Sequence, residues 1–265
     1  MGDHASLYNL AMLVEYDGSK FCGFQKQGLL VRTIQGELEQ ALSNFANQSI
    51  EVITSGRTDS GVHAVHQVIN FKTSVERKLN NWVRGVNALL PKDIVIKDVV
   101  VVGDTFNSRF SAVFRTYHYY LQLSPVRPVI LYNKVGWYHA ALDVELMQSA
   151  CQLLIGEQDF SSFRAANCQA QNPVRNLTHA SIEVKNNLLR FEFRANAFLY
   201  HMIRNIVGAL IYVGNGKITL NQFMEVITVK NRRSAPPTFM PDGLYLVNVE
   251  YLEQIFSRQN IAWLY

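Results

Sequence analysis

The sequence predicts an α+β protein of two β-α-β-β-α-β halves, each an antiparallel sheet with helices on one face, the sheets joined around a central cleft. Three observations predict it. Short β-branched or aromatic runs recur along the 265 residues, bounded by Gly, Pro, Asn and Asp. Segments of helical period lie between them. The same order of elements is legible twice, so that 1–109 and 110–265 read as two domains. The chain is 48% hydrophobic and 17% charged, enough apolar side chain for a sizeable core and too much for disorder.

In the first half, Leu10 to Tyr16 is a strand stopped by Asp17-Gly18. A polar and aromatic loop follows, from Ser19 to Gly28. Thr33 caps a helix whose apolar stripe is Ile34, Leu38, Leu42 and Phe45. Glu51 to Thr54 and His66 to Phe71 are strands on either side of a dense polar loop. Leu79 to Leu90 reads as a helix ended by Pro91, and Asp93 to Val102 as a β-branched strand.

In the second half, Phe114 to Leu123 is a strongly aromatic strand. Asp143 caps a helix through Val144, Met147, Cys151 and Leu154, with Gly156 as its stop. Glu157 to Pro173 reads as irregular. Asn176 to Val184 and Leu188 to Ala195 form a hairpin over Lys185-Asn186-Asn187. Phe198 to Val213 reads as a helix closed by Asn215-Gly216, Leu220 to Thr228 as a further helix, and Leu244 to Tyr251 as the last strand. Setting the further helix aside, the order repeats that of the first half, and each half takes a ferredoxin/RRM-like form. Sheets of that kind bind RNA by stacking bases on exposed aromatics.

Net charge is +4, mild enough to permit an anionic partner without requiring one. Residues 1–110 carry 11 basic and 11 acidic side chains, and residues 111–265 carry 14 and 10, so the excess sits wholly in the second half. Ten arginines run from Arg115 to Arg258 there, and the guanidinium matches phosphate geometry. Cys22, Cys151 and Cys168 are odd in number, widely spaced and without a CxxC pair, which fits a reducing cytoplasm and suggests no zinc site. Met1 to Tyr8 lacks the pattern of a secretory signal. The longest apolar run, Ala197 to Val213, is broken by His201, Arg204 and Asn205 and reads as a buried helix, not a membrane span. No GxGxxG, P-loop or nucleophile-elbow pattern is present, so nucleotide-cofactor and serine-hydrolase readings have no support.

The chemistry concentrates in Ser55-Gly56-Arg57-Thr58-Asp59-Ser60-Gly61-Val62-His63. Nine residues hold two glycines, a carboxylate, a guanidinium, an imidazole and three hydroxyls, far more than a strand connection needs. Glycines at such sites permit positive φ or close backbone approach. Asp59 is the leading catalytic carboxylate, able to act as nucleophile or base when held ionised. Arg57 lies two residues away. Arg204 is a second candidate cation: on a helical wheel Leu199, Ile203, Ile206 and Leu210 form a buried stripe, while Ala197, His201, Arg204 and Gly208 share another side, small enough to admit a loop. Tyr117 shares a strand face with Tyr119 and Leu121, from which it can stack on a base and move a proton. The plainer readings are a solvated Arg204 and a core Tyr117. His63 and His66 fall on opposite faces of a strand, so His63 is expected to buttress the loop and no metal is expected.

Taken together these residues resemble the tRNA pseudouridine synthase A (TruA) family, over nearly the whole chain. The specific pieces are Val14-Glu15-Tyr16-Asp17-Gly18, Gly56 to Ala64, Phe110-Ser111-Ala112 with Arg115-Thr116-Tyr117, Asp159 to Arg164, Ala195 to Phe198, Met202 to Gly208, Ala235-Pro236-Pro237 and Gly243-Leu244-Tyr245. Two positions depart from the family pattern: Phe24, where Trp is usual, and His66, where a small residue is commoner. The resemblance implies isomerisation of uridine to pseudouridine at positions 38, 39 and 40 in the anticodon stem-loop of tRNA. It implies Asp59 as the essential aspartate, Arg57 holding the uridine out of the stack, Tyr117 stacking on the uracil and taking the C5 proton, and Arg204 pairing with the aspartate. It implies a cytoplasmic homodimer that needs no cofactor and no metal.

Residue chemistry agrees with that expectation. The N1–C1′ bond breaks, the base turns, and C5 bonds to C1′, with no redox or phosphate step. The carboxylate attacks C1′, attacks the base, or removes the 2′ proton; the residues leave all three open. Extruding the base costs a few kcal/mol, which arginine contacts to phosphate offset. Two other classes compete: a non-catalytic RNA-binding protein with two RNP-like halves, and a nucleoside hydrolase, for which no second acid is found.

Overall fold

The computed structural model describes residues 7–28, 31–166, 168–257 and 263; Arg258 lies outside them. It is a mixed α+β structure whose strand pairs are mostly antiparallel, with five α-helices. The described residues form two compact units. One runs to Val113 and resumes at Leu246; the other is Phe114–Tyr245.

The first unit contains β1 (Tyr8–Tyr16), α1 (Ile34–Ala46), β2 (Ile53–Thr54), β3 (His63–Thr73), α2 (Leu79–Asn87) and β4 (Ile94–Val102). β1 pairs antiparallel with β3 and with β4, Met12 facing Ile69 on one side and Val99 on the other. A strand with neighbours on both edges reads as the near-continuous apolar run Leu10 to Val14, all of it buried. β2 pairs with β3 through Ile53↔Asn70. The Thr33 hydroxyl accepts from the Gly36 amide at 3.2 Å, the cap its position predicts, and Asn47 ends α1 in the left-handed region at φ 50°. Ile34, Leu38 and Leu42 are buried. Trp82 of α2 is wedged between Phe45 (5.1 Å) and Phe71 (5.5 Å). α2 ends at Asn87, short of Leu90, because its last turn tightens: Leu89 and Leu90 both donate to the Val86 carbonyl before Pro91.

The second unit departs further from expectation. After β5 (Ala112–Leu123) come β6 (Gly136–Tyr138), α3 (Val144–Gln152), β7 (Gly156–Asp159), β8 (Val174–Lys185), β9 (Leu188–Ala195), α4 (Met202–Gly214), α5 (Leu220–Val229) and β10 (Leu244–Tyr251). Its strands run β5-β9-β8-β7, with β6 parallel to β5. β6 and β7 were not expected. β7 occupies the start of the segment read as irregular; its sequence, GEQD, has no apolar period, and backbone pairing to β8 alone defines it. Gly156, read as the stop of α3, instead opens β7 at φ 110°.

The start of α4 is a second correction. The helix begins at Met202, not Phe198. Asn196 Oδ1 accepts from the Ala197 and Asn176 amides, which ties this stretch to the end of the hairpin, and His201 sits in the left-handed region at φ 61°. Ala197, Leu199 and His201 are therefore off the helix. Eleven of the thirteen residues of α4 are buried, so it has no solvated side. A side chain at Gly208 would run into the Pro237 carbonyl, so the main chain at Pro237 lies directly on the helix. Among the described residues no helix is long and apolar enough to cross a membrane. From Leu246 onward β10 belongs to the first unit, beside β3, where the Tyr251 hydroxyl donates to the Ser108 carbonyl at 2.9 Å.

His66 of β3 is buried and its Nδ1 has no hydrogen-bond partner. Burial, helped by the Lys97 charge, pushes its pKa down to about 4. The unfolded chain takes up this proton near 6.5 and the folded chain resists until about 4. Stability is therefore lost as pH falls through that window. Between pH 7.5 and 5 this group costs ~2 kcal/mol. Urea unfolding at the two pH values shows the parent losing that much more than His66→Ala; equal losses in both proteins remove His66 as the cause.

Candidate active site

The loop between β2 and β3 is fixed at both ends and from both sides. The Ser55 amide donates to the Val68 carbonyl at 2.9 Å, and the Val62 amide closes a turn onto the Asp59 carbonyl at 3.1 Å. Gly61 takes φ 80°, a conformation that a side chain disfavours. From one side, the 18–24 loop grips the turn: the Phe24 amide donates to the Thr58 carbonyl at 3.0 Å, and the Ser60 hydroxyl donates to the Phe21 carbonyl at 3.2 Å. Gly23, at φ 88°, leaves no room for a Cβ against that Thr58 carbonyl. The 18–24 loop is itself tied to the start of α1, where Gln35 donates to the Phe24 carbonyl at 2.9 Å. Phe24, the departure from the family pattern, is buried against Tyr16 at 6.2 Å between rings.

From below, a buried side-chain network holds the other face. Gln67 Nε2 donates to the Gly56 carbonyl (2.8 Å) and to the Tyr16 hydroxyl (3.3 Å). Gln67 Oε1 accepts from the Ser55 hydroxyl (2.6 Å) and the Val68 amide (3.1 Å). The Tyr16 hydroxyl lies 2.7 Å from Thr58 Oγ1. Burial pushes the Tyr16 phenol up to about 12, so it stays a neutral donor and acceptor throughout the ordinary pH range. Residues 55, 56 and 58 are thus pinned around Arg57 and immediately before Asp59. Thr58 is buried, Asp59 half-buried and Arg57 exposed. Partial burial and the nearby charge of Arg109 lower the Arg57 pKa.

His63 buttresses the same region. Its Nδ1 lies 3.1 Å from the Gly18 amide, from which it accepts, and 3.1 Å from Asp17 Oδ1. Gly18 in turn packs so tightly on the Val62 carbonyl that no side chain fits there. Among the described residues no group of three or more His, Cys, Asp or Glu is arranged to hold a metal ion.

The second unit carries Tyr117 and Arg204. Tyr117 lies opposite Phe193 on β5 and is 7% exposed, its ring edge-on to Phe198 at 5.1 Å. Arg204, in the first turn of α4, is half-buried and donates from Nε to the Phe239 carbonyl at 2.9 Å. Tyr119, on the same face of β5 as Tyr117, donates to the Met240 carbonyl at 3.0 Å. Burial and the Asp242 carboxylate raise the Tyr119 pKa well above its ordinary value, while the Arg204 charge pulls the other way, which places these three groups in one electrostatic neighbourhood. The 237–240 segment is therefore the element that sets Arg204.

Sequence reasoning found the Asp59 loop from its density of polar groups and missed what holds it. Tyr16 read as the end of a strand and part of the Val14-to-Gly18 piece, and Gln67 drew no reading of its own within the His66-to-Phe71 strand.

Tyr16→Phe keeps the ring and strips the hydroxyl, leaving Gln67 and Thr58 each short of one hydrogen bond. It lowers unfolding free energy by ~1–3 kcal/mol in urea titrations. Thr58→Val acts on the same bond, so the double substitution costs less than the two single losses added. Strict additivity breaks the network as described.

Comparison with known proteins shows the family. The family model described as tRNA pseudouridine synthase matches residues 12–111 and 150–252. The first span contains the Asp59 loop and the second Arg204; Tyr117 falls between them. The chain is 48% identical over 264 residues to the tRNA pseudouridine synthase A of Neisseria meningitidis serogroup C, covering 99% of this chain and 100% of the relative. It is 50% identical over 242 residues to that of Nitrosomonas eutropha, covering 91% and 87%, and 50% identical over 246 residues to that of Chromobacterium violaceum, covering 92% and 94%. With a matched family model over most of its length and relatives of this closeness, the chain belongs to the tRNA pseudouridine synthase family, isomerases that convert uridine to pseudouridine.

Proposed function

We propose that the protein isomerises uridine to pseudouridine at positions 38, 39 and 40 in the anticodon stem-loop of tRNA, with Asp59 as the catalytic carboxylate. The observation that carries the assignment of Asp59 is the immobilised loop: its neighbours are pinned from two sides, and catalytic groups work best when held in place before substrate arrives.

In this reading the uridine leaves the stack and Arg57, exposed beside Asp59, helps hold it out. Arg204 pairs with Asp59 and keeps it ionised. Tyr117 stacks on the uracil. The carboxylate drives cleavage of the N1–C1′ bond, the freed base rotates, C5 bonds to C1′, and the C5 proton leaves, with Tyr117 as its acceptor. N1 gains a proton, so the product is an isomer and no co-reactant is consumed. Neither a metal nor an organic cofactor enters these steps. The protein acts as a cytoplasmic homodimer on one tRNA. Each half is a ferredoxin-like module bordering a central cleft; the antiparallel β4-β1-β3 order, with β2 also on β3, supports this for the first.

Release of tritium from tRNA labelled at C5 of uridine tests the reading. The parent releases label and Asp59→Ala falls to background while still binding tRNA. Undiminished release by Asp59→Ala removes that residue from the mechanism. A protein that binds tRNA and never releases label is an RNA-binding module only, and free uracil among the products marks a hydrolase.

A further inference from the structure

No step proposed above uses the Phe110-Ser111-Ala112 stretch, yet the loop that carries it is held by many hydrogen bonds. Asn107 Oδ1 accepts from the amides of Arg109 (3.0 Å) and Phe110 (3.1 Å). The Ser111 amide donates to the Asn107 carbonyl at 2.9 Å, and Ser111 Oγ accepts from the Asn107 amide at 3.1 Å. Ser108 is fully buried: its amide donates to Asn70 Oδ1 (2.8 Å), its hydroxyl to the Ile53 carbonyl (2.7 Å), and its carbonyl accepts from Tyr251 (2.9 Å). The loop is thereby bolted to β2, β3 and β10.

Against that rigidity, Phe110 is 78% exposed. A phenylalanine held in water on an immobile loop gains nothing for folding, because its apolar surface stays wet. The Arg109 guanidinium lies 5.4 Å from its ring centroid. Arg109 is also exposed, and its charge reaches Arg57 on the Asp59 loop. An exposed ring with one guanidinium over it, and a second cation close to that guanidinium, matches one ligand chemistry best. Bases present a π-face and their backbone an anion for every nucleotide. An apolar protein partner would bury the two guanidinium groups at a desolvation cost.

The geometry points to Phe110 and Arg109 as a contact site for single-stranded RNA, in which the Phe110 ring stacks an unpaired base and Arg109, beside Arg57, takes the adjoining phosphate. The inference rests on tRNA being the substrate and adds a subsite outside the reacting nucleotide. It also gives the rigidity of the loop a purpose, since a platform fixed in advance loses little freedom when a base settles on it.

Two probes test it: an unmodified tRNA transcript, and an anticodon stem-loop carrying 2-aminopurine beside the target uridine. Phe110→Leu keeps an apolar side chain and loses the stacking face; its Kd for the transcript rises about tenfold and the 2-aminopurine quenching disappears. Phe110→Trp stays at the parent level. Arg109→Ala lowers the slope of log Kd against log salt by about one. Thermal midpoints stay at the parent value in all three variants. Equal binding and quenching by Phe110→Leu and the parent overturns the inference. So does a change in sedimentation of Phe110→Leu without a change in Kd, which assigns the ring to a protein contact. The function itself is read separately: should the parent release no tritium while the Phe110 effects persist, the catalytic reading falls and the RNA contact stands.

Discussion

The side-chain amide of Gln67 is the point on which the Asp59 loop turns. One residue on the central part of β3 satisfies the hydroxyl that opens the loop, a carbonyl within it and a phenol from β1. Each of these groups is buried or nearly so, and a buried polar group without a partner is costly. The network is therefore satisfied in one arrangement of the loop, and departures leave several groups unpaired at once. Specificity of conformation here comes from hydrogen-bond accounting, and the apolar core supplies the bulk of the folding energy around it.

The two units use different means to set their polar side chains. In the first, neutral groups lock a backbone segment that carries Arg57 and Asp59. In the second, Arg204 and Tyr119 are each anchored to a main-chain carbonyl of the 239–240 segment, and the electrostatics of Asp242 act on the same neighbourhood. Gly208 matters for this second arrangement because it lets the main chain lie directly on α4. In α4, buried on almost every side, Arg204 is accommodated in the first turn because a carbonyl of the neighbouring segment reaches it.

Much of this was legible from residues alone. Thr33 marks the start of α1 through a hydroxyl that caps it, and Asn186, at φ 57°, sits in the hairpin turn that its type suggests. β10 runs over the span its apolar residues define. The polar density around Asp59 marked the loop. The failures share a cause. β7 is set by backbone pairing to β8, which leaves no side-chain period to read. The delayed start of α4 depends on Asn196 bridging two segments and on His201 adopting a left-handed backbone that its residue type does not advertise. The Tyr16–Gln67 contact depends on the β1–β3 register, which shifts between Val14 and Tyr16, and register is a property of two strands together.

The return of the chain at Leu246 has a consequence for biogenesis. The first unit places β10 beside β3 and ties the Ser108 loop through Tyr251, so its sheet is incomplete until the last strand has left the ribosome. During synthesis the part of the β3 edge that β2 does not cover stays unpaired until β10 is made, a hazard for intermolecular strand pairing. Of the helices made in the meantime, α3 and α5 carry side-chain N-caps, from Asp143 and Thr219, and offer local order before β10 exists.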